Sequence, residues 1–130
     1  MLSNYWVWIL EDDEGCQFVY RQTLGHRHQL KFFSSFSSFQ EALDASTPDT
    51  APAVVIADLM LSDGCLIRLL PEQELRRLYE LPVIMVSSID DVDMLRFCFD
   101  LGATDYLIKP FQKAELIAKL DRVLKRKAEA

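Results

Sequence analysis

Four apolar runs in this chain end in groups that can do phosphate chemistry. Asp58 closes the run at residues 53–57, Glu11-Asp12-Asp13 follows residues 5–10, Ser87-Ser88 follows residues 81–86, and Lys109-Pro110 follows residues 106–108. A carboxylate, an acidic pair, a hydroxyl and an ammonium brought together would hold a divalent cation and a phosphoryl group. Each signal is weak alone. A strand-end serine commonly caps a helix, an acidic pair commonly opens one, and a lysine before proline is commonly a surface residue. Their joint value depends on whether one sheet edge collects them.

The elements that must do this positioning alternate along the sequence. Near-continuous apolar runs are what strands of a parallel sheet look like when helices cover both faces. The pattern predicts strands over residues 5–10, 30–36, 53–57, 82–86 and 105–108. A first helix runs through Cys16, Val19, Tyr20 and Leu24 and ends near Gly25; a second covers 39–45 and stops at the loop of residues 47–50. The third lies between Gly64 and Tyr79, where Pro71 must kink it or restart it with proline in the first turn. The fourth covers 92–101 with Gly102 as a left-handed cap, and the fifth follows Pro110, with Leu116, Ile117, Leu120 and Leu124 at helical spacing. Five strands alternating with five helices imply right-handed crossovers. The expected fold is a doubly wound α/β sandwich: a parallel five-stranded sheet with helices on both faces. Ligands bind such sheets outside the carboxyl ends of the strands, where all four polar ends would meet.

The chain has 130 residues. That length suits one domain over 1–130, large enough to bury a core without disulfide or metal staples. Half of the residues are apolar and 26 % are charged, the composition of a soluble globular protein. No apolar run approaches the ~20 residues of a membrane span, and no basic region followed by a long apolar stretch opens the chain, so a cytoplasmic protein is expected. Cys16, Cys65 and Cys98 have no paired spacing and read as reduced packing thiols. The net charge of -6 makes direct nucleic-acid binding unfavourable. The basic cluster Lys119, Arg122, Lys125, Arg126 and Lys127 suits the last turns of a helix, where cations meet the negative end of the dipole.

Residues 9–13, 55–61, 82–88 and 102–111, each at a predicted strand end, together resemble the receiver domain of two-component response regulators. The resemblance spans essentially the whole chain and implies the flavodoxin-like (βα)5 fold. It implies that Asp58 accepts a phosphoryl group from a histidine kinase or phosphotransfer protein. Mg2+ would be held by Asp12, Asp58 and the backbone carbonyl of Met60, with Glu11 helping through water. Aligning Ile9-Leu10 with the end of the first strand selects Glu11 and Asp12 as the acidic pair; a one-residue slip selects Asp12 and Asp13. Ser87 would bond a phosphate oxygen, with Ser88 taking that role if the register slips. Lys109 would pair with Asp58 before phosphorylation and with the phosphate afterwards, ahead of a cis bond to Pro110. Tyr106 matches the aromatic that turns inward on switching. Such a domain is not an enzyme beyond catalysing its own phosphorylation and dephosphorylation. It controls an output domain or partner outside this chain, transcription being one such output.

The loop after Asp58 departs from the family pattern. Proline is common four residues after the aspartate and glycine eight after it, but here Ser62 and Leu66 stand there, with Asp63-Gly64 in between. The loop is expected to be less rigid or to follow another path, which shifts the start of the third helix. Met60 and Ile89 occupy variable flanking positions that tune the lifetime of the phosphorylated state. Competing readings are weaker. A haloacid-dehalogenase-like phosphatase needs an aspartate where Met60 stands, and a flavodoxin-like electron carrier needs a phosphate loop where the acidic run stands. A receiver-like module that works without phosphorylation remains the alternative. On the fourth helix, Leu95, Cys98 and Phe99 are expected to be buried and Met94, Phe97 and Leu101 exposed. The resemblance then implies a symmetric dimer through the fourth helix, fifth strand and fifth helix, involving Phe97, Asp105 and Lys119.

Overall fold

Strands and helices follow one another as β1 (Trp6–Leu10), α1 (Glu14–Leu24), β2 (Gln29–Phe33), α2 (Phe36–Asp44), β3 (Val54–Asp58), β4 (Met60–Leu61), β5 (Gly64–Cys65), α3 (Leu66–Leu69), α4 (Glu72–Leu78), β6 (Val83–Ser87), α5 (Val92–Leu101), β7 (Asp105–Ile108) and α6 (Lys113–Glu129). The computed structural model describes residues 5–88 and 92–129, so Ile89 lies outside the described residues. Five strands form one sheet in the order β2-β1-β3-β6-β7, every adjacent pair parallel. The doubly wound α/β architecture is as the alternation of elements predicts.

Strand side chains alternate between faces, and both faces are covered. Trp8, Leu10, Val55, Ala57, Val83 and Met85 share one core with Phe36 and Phe39 of α2, Leu66 of α3, Leu75 and Leu78 of α4, and Cys98 and Leu101 of α5. Val7, Ile9, Val54, Ile56, Ile84, Val86 and Leu107 share the other with Tyr20 and Leu24 of α1 and Leu116, Leu120, Val123 and Leu124 of α6. Full burial of each leucine is worth roughly 1.5–3 kcal/mol of transfer free energy. Two such layers fix the register that brings the strand ends level.

Several boundaries differ from the sequence reading. The second strand stops at Phe33 because Ser35 caps α2, its Oγ accepting the Ser38 N–H at 3.1 Å, and Phe36 is buried in the first turn of that helix. The third helical segment is broken. α3 is four residues long, Leu70 is extended, and α4 restarts after Pro71, which stands at its N-cap rather than inside its first turn. Ahead of α3 the chain makes an unforeseen hairpin, β4 against β5, pairing Met60 with Cys65 and Leu61 with Gly64. Gly102, with φ +120°, ends α5: its N–H bonds Phe99 O and the Ala103 N–H bonds Cys98 O, a Schellman pair.

The buried face of α5 is rotated from the expected one: Cys98 is buried and Phe97 exposed as the sequence suggests, but Met94 and Leu101 turn inward and Phe99 does not. Met94, Cys98 and Leu101, spaced four and three apart, pack on the core, while Phe97 and Phe99 are 42 % and 40 % exposed. Among the described residues no helix is long and apolar enough to cross a membrane.

Candidate functional site

Register brings the polar ends together. Leu10 pairs with Ala57, Asp58 with Val86, and Ser87 with Ile108, so Glu11, Asp58, Ser87 and Lys109 come off four neighbouring strands at one edge. Period-two alternation then sorts them. Glu11, Asp58 and Lys109 continue the parity of Ile9, Ile56 and Leu107, whose core is shared with α1 and α6. Ser87 and Tyr106 have the other parity, that of Met85, on the α5 side; Tyr106 is the register partner of Met85.

The centre of the group is the Lys109 ammonium. Its Nζ lies 2.5 Å from Asp58 Oδ2 and 2.6 Å from Glu11 Oε1. Glu11 is 1 % exposed, and Asp58 and Ser87 are also buried. Burial alone would lower the Lys109 pKa, but hydrogen bonds and charge from Asp58 and Glu11 outweigh it and hold the amine above its usual range. The second oxygen of Asp58, Oδ1, accepts the Met60 N–H at 3.0 Å, so both carboxylate oxygens are oriented. Glu11 is fixed further by the Asp13 N–H on Oε2 at 3.2 Å and by the Gln17 amide on its backbone carbonyl at 2.6 Å. The Lys109–Pro110 bond is cis.

The acidic run divides by role. β1 ends at Leu10, leaving Glu11 and Asp12 directly beyond the strand, whereas Asp13 caps α1, its Oδ2 accepting the Cys16 N–H at 2.8 Å. Asp12 turns its Oδ2 to the Ser62 N–H at 2.6 Å. The donor set of Glu11, Asp12, Asp58 and the Met60 backbone is all oxygen, the chemistry magnesium prefers. In the present conformation Glu11 and Asp58 are engaged by Lys109 and Asp12 by Ser62. Among the described residues no three His, Cys, Asp or Glu side chains are grouped so as to hold an ion.

Farther out, the Tyr106 ring packs edge-on against Phe99 at 5.8 Å, with Lys119 Nζ 4.5 Å above its centroid. Lys119 also donates to the Tyr106 carbonyl. Asp105 and Lys119, expected to reach across a dimer, are paired within the chain at 3.3 Å. Ser88 is exposed and stands outside the buried group that contains Ser87. Sequence reasoning missed the Gln17 anchor, the Ser62 contact and the Asp63 Oδ2 that accepts the Phe36 N–H at 3.2 Å. The visible signal was Ser62-Asp63-Gly64, a turn signature between apolar pairs. Cys16 lines the site 3.8 Å from Lys109, but burial, Asp13 and Glu11 push its thiol up to about 11, so it is protonated and a poor nucleophile.

A response regulator receiver domain model matches residues 7–121. The chain belongs to the response regulator receiver family. Among curated relatives, the DNA-binding transcriptional regulator NtrC of Klebsiella pneumoniae is 33% identical over 118 residues, covering 91% of this chain and 24% of that protein. The receiver thus spans about a quarter of the length of that relative. Among solved structures, a response regulator receiver protein from Burkholderia phymatum is 27% identical with a TM-score of 0.76, covering 94% of this chain and 96% of the other. The non-phosphorylated HemR receiver domain of Leptospira biflexa and a DrrB receiver domain described as BeF3-activated both match at 25% identity and a TM-score of 0.75. They cover 93% of this chain and 94% and 97% of theirs. Because both states match equally, the likeness identifies the receiver fold without selecting a state. The receiver is a signalling domain of two-component systems.

Proposed function

We propose that Asp58 of this receiver accepts a phosphoryl group from the phosphohistidine of a cognate kinase or phosphotransfer protein. The observation that carries this reading is the ammonium of Lys109 seated between Asp58 and Glu11 at 2.5 and 2.6 Å, at the carboxyl edge of the sheet. In the transfer an Asp58 oxygen forms a bond to phosphorus and the bond to the histidine nitrogen breaks. Magnesium, when bound, neutralises charge between the carboxylates and the phosphoryl oxygens. Asp12, Asp58, the Met60 carbonyl and, through water, Glu11 are the groups that would hold it. Lys109 supplies a fixed positive charge where negative charge gathers, and the Met60 N–H holds the Asp58 carboxylate in orientation. Ser87 bonds a phosphate oxygen, and Tyr106, on the same sheet face, follows it inward. Beyond taking and losing this group the domain is not an enzyme. Intact mass after incubation with phosphoramidate tests the reading: one phosphoryl group is expected with magnesium, and no gain of mass would support the phosphorylation-independent module instead.

We further read residues 1–130 as one receiver unit working in the cytoplasm, with its output, transcription as in the NtrC relatives, carried by a domain or partner outside this chain. The net charge of -6 does not favour nucleic-acid contact by the receiver itself.

A groove of about 380 Å³ beside Lys109, lined by Val19, Tyr20, Ser88, Pro110 and Phe111, has an apolar lining suited to the helix that carries the donor histidine. Val19 is partly exposed on α1. Val19→Glu is expected to slow transfer from the phosphorylated kinase at least tenfold, a loss of about 1.4 kcal/mol, while labelling by phosphoramidate is unchanged. Equal loss with both donors would place the defect in the acceptor rather than in docking.

The signal leaves through α5, β7 and α6. Phe99 is exposed and edge-on to Tyr106, with Lys119, Arg122 and Asp105 as its charged surroundings, and Phe97, two residues earlier on α5, is a second exposed aromatic. We read this face as the surface of a symmetric dimer. Its formation must break the Asp105–Lys119 pair within the chain before those groups can reach a second copy. Sedimentation is expected to show a monomer that dimerises with beryllofluoride, and Phe97→Ala should weaken that dimer. A monomer under both conditions would remove the dimer reading.

A further inference from the structure

The loop beyond Asp58 holds a contact that bears on cation loading. Ser62 occupies the turn of the β4–β5 hairpin, and its backbone N–H donates to Asp12 Oδ2 at 2.6 Å across 50 residues of sequence. Among the described residues only glycines have positive φ, so Ser62 and Asp63 are both negative and Gly64, at φ +127°, follows them. Negative φ at both central residues excludes types I′, II and II′ and is compatible with a type I turn in which Ser62 is the second residue. The N–H of that residue takes no part in the turn's own hydrogen bond. Asp12 supplies its acceptor, and a charged acceptor makes the bond a strong one.

This bond opposes the arrangement magnesium needs. The cation demands near-octahedral oxygen geometry, so Asp12 and Asp58 must aim at one point. Asp12 is instead drawn to the hairpin, Asp58 and Glu11 are drawn to Lys109, and no group of three such side chains among the described residues is arranged for an ion. The hairpin is small, two residues in each strand. A two-stranded hairpin is marginal alone in water, so it depends on its attachments. Those are the Ser62–Asp12 bond, the Asp63 carboxylate on the Phe36 N–H at the start of α2, the Leu66 N–H on Leu59 O, and the buried Leu61 and Cys65.

We propose that the Ser62 amide is a latch on Asp12 that competes with magnesium, so that cation loading releases the tip of the β4–β5 hairpin. The inference rests on the reading of Asp12 as a metal ligand. Thermodynamic linkage makes the effect reciprocal: the factor by which the latch weakens magnesium binding is the factor by which magnesium weakens the latch.

The test uses the unphosphorylated protein and magnesium alone. Ser62→Pro removes the N–H, and the negative φ that proline fixes has the sign found at Ser62; Ser62→Ala keeps the N–H. Calorimetric titration is expected to show magnesium binding about tenfold tighter in Ser62→Pro, with Ser62→Ala matching the parent. In the parent protein, hydrogen exchange at the Ser62 amide is expected to accelerate when magnesium is added, a readout that needs no variant. Unchanged or weaker magnesium binding in Ser62→Pro, or a Ser62 amide that exchanges no faster with magnesium, overturns the latch. Asp12→Asn separates the two readings. If it binds magnesium as the parent does, the ligand assignment itself fails and the latch fails with it. If it loses magnesium while Ser62→Pro is unaltered, only the latch is wrong.

Discussion

Asp58→Asn is expected to abolish phosphoryl transfer entirely, from the kinase and from small phosphodonors alike. The asparagine keeps the shape of the side chain and can still accept the Met60 N–H through its carbonyl oxygen, as Oδ1 now does at 3.0 Å. It cannot supply an anionic oxygen to phosphorus. The neighbouring carboxylates do not substitute for it. Glu11 is 1 % exposed and held by Lys109, Asp13 and Gln17, while Asp12 and Asp13 are bonded to Ser62 and Cys16. Intact mass should therefore show one added group in the parent protein with magnesium, none with chelator, and none in the variant. Labelling that persists in Asp58→Asn would move the acceptor elsewhere.

Removing the ammonium should have the largest effect on stability. Lys109→Ala leaves Glu11 and Asp58, with side chains 1 % and 9 % exposed, facing each other without their shared counter-charge. Breaking a buried ion pair by deleting one partner costs about 3–5 kcal/mol. Lys109 is 23 % exposed, and water screens part of the interaction, so roughly 2–3 kcal/mol is the expected loss. For a domain of this size that lowers the melting temperature by about 10 °C. The loss should be greatest in chelator and smaller with magnesium. A double-mutant cycle isolates the cause: Lys109→Ala in an Asp58→Asn background should cost clearly less than in the parent. Additive losses would mean that Lys109 stabilises through its aliphatic stem and not through its charge.

The carboxyl edge of the sheet was readable because a parallel strand covered on both faces must be apolar until it ends, so the first polar residue marks the edge. Asp58, Glu11 and Lys109 announce themselves in that way. Ser87 was readable as a strand end, but whether β6 included it depended on its pairing with Ile108. The buried face of α5 was misread for a physical reason. Met94, Leu95, Phe97, Cys98, Phe99 and Leu101 are all apolar, so two stripes satisfy helical periodicity, and only docking onto the sheet selects Met94, Cys98 and Leu101. β2 was drawn too long because Phe36 looks like a strand residue until Ser35 is seen to cap a helix. The hairpin escaped because two residues per strand carry no measurable period. The Asp105–Lys119 pair joins a strand to a helix through their docking angle, which no local pattern encodes.

Glu11 and Lys109 meet across 98 residues of sequence, and Lys109 directly follows the last strand in chain order. During synthesis the two carboxylates of Glu11 and Asp58 exist well before the ammonium that neutralises them, since chains emerge from the amino end at only about 5–20 residues per second. A chain that has not yet added β7 against β6 holds Glu11 and Asp58 without the ammonium that pairs with both. The counter-charge for Glu11 and Asp58 therefore arrives only with the closing of the sheet edge.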